Sequence, residues 1–453
     1  MNILHYSLGL PPERSGGLTK YSTDLLLQQI SSGENVTLLF PENCLVSRKT
    51  RAIEFKGLRN GLKSYAFQNS SPIPLLEGIK NPETIFNYTL SKKDINSFHN
   101  FIEKADPDIF HIHTLMGLPL EFVEILKAKH IKIIYTSHDY FGLCLKVNFI
   151  DSSGNLCTKP SGSNCALCNL KSPSETYLRI RNSNIVLKNK RIIRSILNLK
   201  NKILSNNAKY TTKTNLLEAN ISIFQNTINY HKKIYLLVDC FHFNSSVARD
   251  VFEKHLGKIK HKIIPITHSN ITDNRKVRKI NNSKIRIGFI GNTTSYKGLP
   301  LLQKALKFLW ENGIQNWQLN IWGNDSIPEY HFPTFFNKGK YDPSQISMVF
   351  DEMDLLIVPS IWKETFSLVT LEGISFGIPV VVTTNVGAKD IVSQYNPDFI
   401  IEPNYNSFIK SLEQILMCPE ILVEFNNKIL DNSFKYDMQT HNKAIVNTLY
   451  QKN

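Results

Sequence analysis

The chain has 453 residues, more than one ordinary domain, and its 42% hydrophobic share is enough to fill two cores. It has no run of eighteen apolar residues and no basic region at the amino terminus, so neither a membrane span nor a signal peptide is expected. Seven cysteines, an odd number, argue against a complete disulfide framework and fit a reducing, cytoplasmic compartment.

The formal net charge of +15 asks for a partner or a location. No helix-turn-helix, zinc-finger or RNP-like pattern accompanies it, so nucleic acid is not the expected partner. An anionic membrane surface is one explanation, since each Lys or Arg near such a surface gains about 1 kcal/mol. A soluble, merely solvated basic surface is the other.

Residues 2–7 read as a first strand, followed by the loop PPERSGG with Gly16 and Gly17 at its tip. Tyr21, Leu25, Leu26 and Gln29 then recur at helical spacing, and 36–40 is a second strand. A strand, glycine loop and helix begin a Rossmann-like half; the loop is not GxGxxG, so no nicotinamide site is expected. The two glycines let backbone amides approach a diphosphate without a side-chain clash. Residues 47–100 are polar and irregular and read as helices on a variable surface. Strands follow at 108–113 and 131–135, with a helix at 121–130 between them. His138, in TSHDY just past the second of these strands, lies on the ligand-binding edge of a parallel sheet. His111 and His113 read as structural.

Cys144, Cys157, Cys165 and Cys168 fall in a Gly/Pro/Ser-rich insertion, 144–170. They offer four thiolates for a structural Zn²⁺, or four reduced thiols, and their spacing matches no standard zinc module. From 176 to 213 the chain is strongly basic, from Arg179 and Arg181 through Lys190, Arg191 and Arg194 to Lys213. A roughly helical apolar stripe runs through it, which fits either a membrane-interface helix or a solvated domain helix. A strand is expected at 234–238, and a polar linker at 268–283. The run KIRIGFIG, 284–291, opens a second Rossmann-like half with the loop NTTSYKG, a helix at 299–310 and a strand at 319–322. A Lys338-Gly339 turn lies in 336–341.

The stretch 354–392, DLLIVPSIWKETFSLVTLEGISFGIPVVVTTNVGAKDIV, organises the second half. It reads as a buried strand, a polar loop, a helix starting near Ser367, and a strand at Val380, Val381 and Val382. Glu364 stands on the loop and Glu372 inside the helix. A helix start beside a strand's carboxyl end presents positive backbone dipoles to an anion, and the carboxylates accept from hydroxyls. Sugar nucleotides carry both features.

The residues PSIWKETFSLVTLEGISFGIPVV resemble the signature of the retaining glycosyltransferase family 4, in which two glutamates are separated by seven residues on the donor side. The resemblance implies an α/β GT-B fold, two Rossmann-like domains facing each other across a cleft. It places an acceptor-side domain at 1–267 and a nucleotide-sugar-binding domain at 268–435. A last helix, within 436–453, crosses back to the first domain. It implies that Glu372 accepts from the ribose hydroxyls and that Glu364 holds the sugar hydroxyls. His138 faces the sugar from the opposite wall. Lys297, the amides of Gly16 and Gly17, and the helix start Phe366, Ser367 and Leu368 meet the diphosphate, with UDP- or GDP-sugars as donors. The acceptor would be a hydroxyl of a glycan or lipid-linked molecule in envelope polysaccharide synthesis. The departing phosphate would serve as base, with no metal required for catalysis. Two positions depart from the pattern: Asn292 stands where relatives carry an arginine, and Ser367 replaces the commoner glycine. A sugar-nucleotide epimerase or phosphorylase of the same fold, and a non-catalytic sugar-binding protein, are the alternatives.

Overall fold

The computed structural model describes residues 1–43, 51–86, 90–189, 215–325 and 332–451. The described residues form two sheets. The first contains β1 (Asn2–Tyr6), β2 (Asn35–Glu42), β3 (Ile53–Arg59), β4 (Leu62–Gln68), β5 (Ile109–Ile112), β6 (Lys132–Thr136), β7 (Cys240–Phe243) and β8 (His261–Ile263). Their order is β3-β4-β2-β1-β5-β6-β7-β8, parallel except for the β3–β4 hairpin. The second contains β9 (Ile285–Ile290), β10 (Trp317–Trp322), β11 (Phe335–Gly339), β12 (Leu355–Val358), β13 (Val380–Thr383) and β14 (Ile400–Ile401), all parallel in the order β11-β10-β9-β12-β13-β14.

Each sheet's central strands are continuous apolar runs because helices cover both faces. In β12 and β13 every residue is buried, and their β-branched side chains pack on a pleated surface covered on both sides. Leu371 and Ile374 of helix Leu368–Ser375 and Leu302, Leu306 and Leu309 of helix Leu299–Glu311 fill the second core against them. In the first core, Phe110 and Tyr135 pack with Phe98, Phe122 and Phe241. The final residues return to this sheet. Ile445, Leu449 and Tyr450 cover Ile3, Ile109, Ile134 and Cys240 on its other face.

Two local readings of the sequence are corrected, and a third is filled in where the structure describes it. The segment 47–100 holds the β3–β4 hairpin as well as helix Lys92–Ala105. Its turn is Asn60-Gly61, both at positive φ (50° and 79°), the backbone of a tight hairpin that Asn-Gly favours. The strand expected at 234–238 is helical: helix Asn215–Leu236 runs into it, and β7 starts only at Cys240. Phe224, Ile228, His231 and Tyr235, all buried, continue the helical spacing to that point. In the basic segment, Arg179 is buried. Its guanidinium bonds to Glu175, Asn69 and the carbonyl of Ser70, so this cation serves the fold rather than a membrane. Arg181 pairs with Glu77. The remaining cations of the segment from Lys190 to Lys213 lie outside the described residues.

The linker has no regular structure between 264 and 284 yet is not free. Arg278 is buried and donates to the carbonyls of Phe376 and Phe350 and to Asp351, fastening the linker to the second sheet's helices.

Candidate active site

The carboxyl edges of the two sheets meet. Ser245 Oγ donates to the carbonyl of Thr365 (2.6 Å), and Thr365 Oγ1 donates to the carbonyl of His138 (3.0 Å). Ser246 donates from both its amide and its hydroxyl to the carboxylate of Asp390, each at 2.6 Å. Glu364 and His138, 226 positions apart in sequence, therefore share one cleft, because Thr365 follows Glu364 and bonds to His138's own backbone.

Glu364 is set by strand chemistry rather than by the helix. Its amide donates to Asn385 (2.9 Å) and its carbonyl accepts from Gly387 (3.0 Å), which bridges the loop after β12 to the loop after β13. The carboxylate is buried, and a single oxygen, Oε1, accepts from Lys297 Nζ (2.5 Å), Trp362 Nε1 (3.1 Å) and the hydroxyl of Ser360. Lys297 also lies over the Trp362 ring, 5.4 Å from its centroid. The lysine reaches this position because the turn Ser295–Lys297 ends at Gly298 in the left-handed region (φ 80°). A Cβ on Gly298 would overlap the carbonyl of Pro359. Thus the two groups that the resemblance assigned to different parts of a donor, diphosphate and sugar, form an ion pair. Sequence spacing gave no hint of this contact.

Glu372 faces a partner that sequence reasoning missed. His268, in the linker, lies 3.1 Å from Glu372 Oε1 through Nε2, while its Nδ1 accepts from the amide of Asn270. His268 Nε2 therefore carries the proton and donates to the carboxylate. Tyr341 lies near enough that burial and Glu372 together push its phenol up to about 12.

The helix starts converge. Gly16, at φ 109° and exposed, caps helix Gly17–Ser31, and a Cβ on Gly17 would touch the Leu368 side chain at 3.6 Å. The amino ends of helices Gly17–Ser31 and Leu368–Ser375 thus face one another across the cleft. Phe366 is buried beneath. Ser367 sits at φ 101°, ψ 91°, a conformation natural to glycine, the residue that the resemblance leads one to expect there. Asn292 does not reach across the site. Its Oδ1 accepts from Thr294 Oγ1 (2.5 Å), shaping the loop instead of supplying charge.

His138 is half-buried, and burial together with the histidines His242 and His441 pushes it down to about 3. It is neutral at physiological pH and supplies hydrogen bonding, not charge. His5, His111 and His113, read from sequence as structural or not singled out, are fully buried, with ligand atoms within 4.8 Å of one another. That distance would admit a metal ion, but all six ring nitrogens are already taken up in hydrogen bonds to one another's neighbours: His5 with His113 and Gln29, His111 with Tyr450 and Thr136, His113 with His138.

The four cysteines of the insertion are free thiols. Burial, reinforced by the neighbouring sulfurs, pushes Cys165 up to about 12; burial likewise raises Cys144 to about 11, with Cys157 and Cys168 adding to it. Among the described residues, the histidine trio alone is drawn together at metal-ligand distance.

Two facing parallel α/β sheets, joined at their carboxyl edges with the second domain's loops closing the cleft, define the GT-B class. Residues 270–432 match the family Glycosyl transferases group 1. Two curated relatives are uncharacterized proteins from the cps region of Klebsiella pneumoniae. One of 41.2 kDa is 24% identical over 191 residues, covering 38% of this chain and 52% of its own; one of 42.6 kDa is 22% identical over 320 residues, covering 69% and 66%. The chain thus spans about half to two thirds of these relatives' length. Among solved structures, the α,α-trehalose-phosphate synthase (UDP-forming) of Burkholderia xenovorans in complex with glucose-6-phosphate aligns over the whole of both chains at TM-score 0.56 and 11% identity. The Anabaena protein HepE in complex with UDP aligns over 99% of both at TM-score 0.56 and 13% identity. At such identities these likenesses show the fold. Among the described residues no helix is long and apolar enough to cross a membrane.

Proposed function

We propose that this protein is a retaining glycosyltransferase that moves a sugar from a UDP- or GDP-sugar to a hydroxyl of a glycan or lipid-linked acceptor in envelope polysaccharide synthesis. The observation that carries the reading is Glu364, buried and ion-paired to Lys297, held in one cleft with His138 by the Thr365 bond. The cps-region relatives and the group 1 match support the polysaccharide setting, and of the solved neighbours one is a complex with UDP and another a complex with glucose-6-phosphate.

In this reading the diphosphate lies between the facing helix starts at Gly17 and Leu368, with Lys297 as its cation. Glu372, held by His268, accepts from the ribose. Charge that develops on the departing diphosphate meets dipoles fixed before the reaction, the main source of rate in such sites. Glu364, with three donors on one oxygen, keeps its other oxygen for the sugar. The departing phosphate takes the acceptor proton, so no protein base and no metal is assigned to the step. Zn²⁺ on Cys144, Cys157, Cys165 and Cys168 would be structural, and ligation would deprotonate them and draw them in. A peripheral position on the cytoplasmic face of a membrane is part of the same proposal, resting on net charge.

The test is a panel of UDP-, GDP- and ADP-sugars incubated with purified protein, with release of nucleoside diphosphate as the readout and Glu364→Ala as control. Release from one donor, lost in the variant, is the expected result. If no nucleotide binds at all, the proposal fails. Conversion of a donor into another sugar nucleotide, with no nucleoside diphosphate released, would favour the epimerase alternative.

A further inference from the structure

The buried histidines do more than fill the first core. Their hydrogen bonds join end to end and begin at a group whose role is fixed. The carbonyl of Ile264 can only accept, so His242 Nε2, 2.8 Å away, carries a proton. Burial holds His242 down to about 4 and it is neutral, so its Nδ1 is bare and accepts from Thr136 Oγ1 (2.9 Å). With its only proton used there, Thr136 Oγ1 accepts from His111 Nε2 (2.6 Å). Burial, then the neighbouring histidines His5 and His242, hold His111 neutral as well. Its Nδ1 is then an acceptor for the Tyr450 hydroxyl (2.5 Å). The Tyr450 oxygen in turn accepts from Gln29 Nε2 (3.2 Å), which leaves Gln29 Oε1 to accept from His5 Nε2 (2.7 Å). The same logic passes through His5 Nδ1 to His113 Nε2 (2.9 Å) and from His113 Nδ1 to His138 Nε2 (3.2 Å). Each link permits one polarity once the previous link is set.

We propose that this chain fixes His138 as the Nε2–H tautomer, so that Nδ1, its remaining nitrogen, meets the donor sugar as a hydrogen-bond acceptor, and that Thr136, Tyr450 and Gln29 are positioning residues for it. The inference rests on the donor role proposed above for His138. The polarity itself rests on the bonds just described and on the neutrality that burial imposes on the rings. Tyr450 belongs to the returning carboxy-terminal segment, so the segment furthest along the chain sets a proton in the cleft. Gln29 is the reversible link: turning its amide over would exchange donor and acceptor. Every ring from His5 to His138 would then flip tautomer, leaving His138 with a proton on Nδ1 and nothing to accept a sugar hydroxyl.

Thr136→Val tests this directly. The replacement keeps the shape and removes the hydroxyl. In the present polarity it leaves the His111 Nε2 proton against a methyl group, whereas the reversed chain leaves a bare ring nitrogen there. Reversal therefore becomes favourable. Nitrogen-15 NMR of the histidine rings in the full chain reads the tautomer without any substrate. The wild type is expected to show His138 with Nδ1 unprotonated; Thr136→Val is expected to show a mixed or Nδ1-protonated ring; and Thr136→Ser, which restores the hydroxyl, is expected to return it. If Thr136→Val proves too unstable, Tyr450→Phe, which frees Gln29 to turn, is read in the same way. Nucleoside diphosphate affinity is expected to stay within about twofold in all of them, because none touches the diphosphate site, while donor turnover falls about tenfold or more in Thr136→Val and recovers in Thr136→Ser. A wild-type His138 protonated on Nδ1, or one that stays purely Nε2–H in both Thr136→Val and Tyr450→Phe, overturns the relay. Correct tautomers in a protein that turns over no donor would instead refute the glycosyltransferase reading and leave the relay standing.

Discussion

Replacing Glu364 by glutamine should make nucleotide bind more tightly while catalysis fails. Lys297 is engaged by Glu364 at 2.5 Å, with side-chain exposures of 27% and 6%. A diphosphate that recruits this lysine must share it with the carboxylate. Glutamine keeps the shape and still accepts from Ser360 and Trp362, but it removes the competing charge. Because Lys297 is partly exposed, its pairing energy is screened and is about 1 kcal/mol, not the several expected of a buried pair. Freed, it should strengthen nucleoside diphosphate binding by about fivefold. Turnover should fall about 10²–10³-fold, as when a preorganised transition-state group is lost. Calorimetric titration of Glu364→Gln with UDP and GDP, beside Lys297→Met, measures both effects. Weaker or unchanged binding in Glu364→Gln, with Lys297→Met also unchanged, would refute the assignment of Lys297 to the diphosphate.

Ser367→Gly should raise stability by about 1 kcal/mol in urea denaturation. It relieves about 1–3 kcal/mol of strain at φ 101°, against about 0.4–1 kcal/mol of added unfolded-state freedom and the lost bond from Thr370. Acid should unfold the protein early. His5 and His242 are held near 4 and His138 and His441 near 3, by burial first, and all four would return toward 6.5 on unfolding. Folded pKa values below the unfolded value mean stability that is complete above about pH 6.5 and lost as pH falls toward 4. The loss is about 1.4 kcal/mol per pH unit for each ring protonated only in the unfolded chain. Thermal melts at fixed ionic strength from pH 7.5 to 4.5 check this. A melting temperature flat across that range would contradict it.

The sequence made the second domain legible because its site is local. Glu364, Ser367, Leu368 and Glu372 lie within one strand–loop–helix unit, and Lys297 follows its strand by one turn. The hairpin was written as plainly in Asn60-Gly61, flanked by alternating residues, but the surrounding polarity masked it. The boundary at 234–238 failed for a different reason: Ile234 and Tyr235 suit a strand as well as a buried helix end, and only the spacing back to Phe224 decides. The histidine chain could not be read. Its members stand at 5, 29, 111, 113, 136, 138, 242, 264 and 450, brought together by parallel strands whose neighbours are far apart in sequence. The His268–Glu372 contact is likewise hidden, because it arises where an unstructured linker folds onto a helix.

The return of Ile445, Leu449 and Tyr450 to the face formed by Ile3, Ile109, Ile134 and Cys240 has a consequence for synthesis. The first sheet emerges from the ribosome first and is completed last. Until residue 450 is available, that apolar face stays uncovered and His111 lacks its phenol partner, while the second domain, local in its contacts, closes around its own core. An isolated fragment of residues 1–267 should therefore be prone to aggregate, and supplying a peptide spanning 436–451 should restore its solubility. The unit of folding is the whole chain, even though the units of architecture are two.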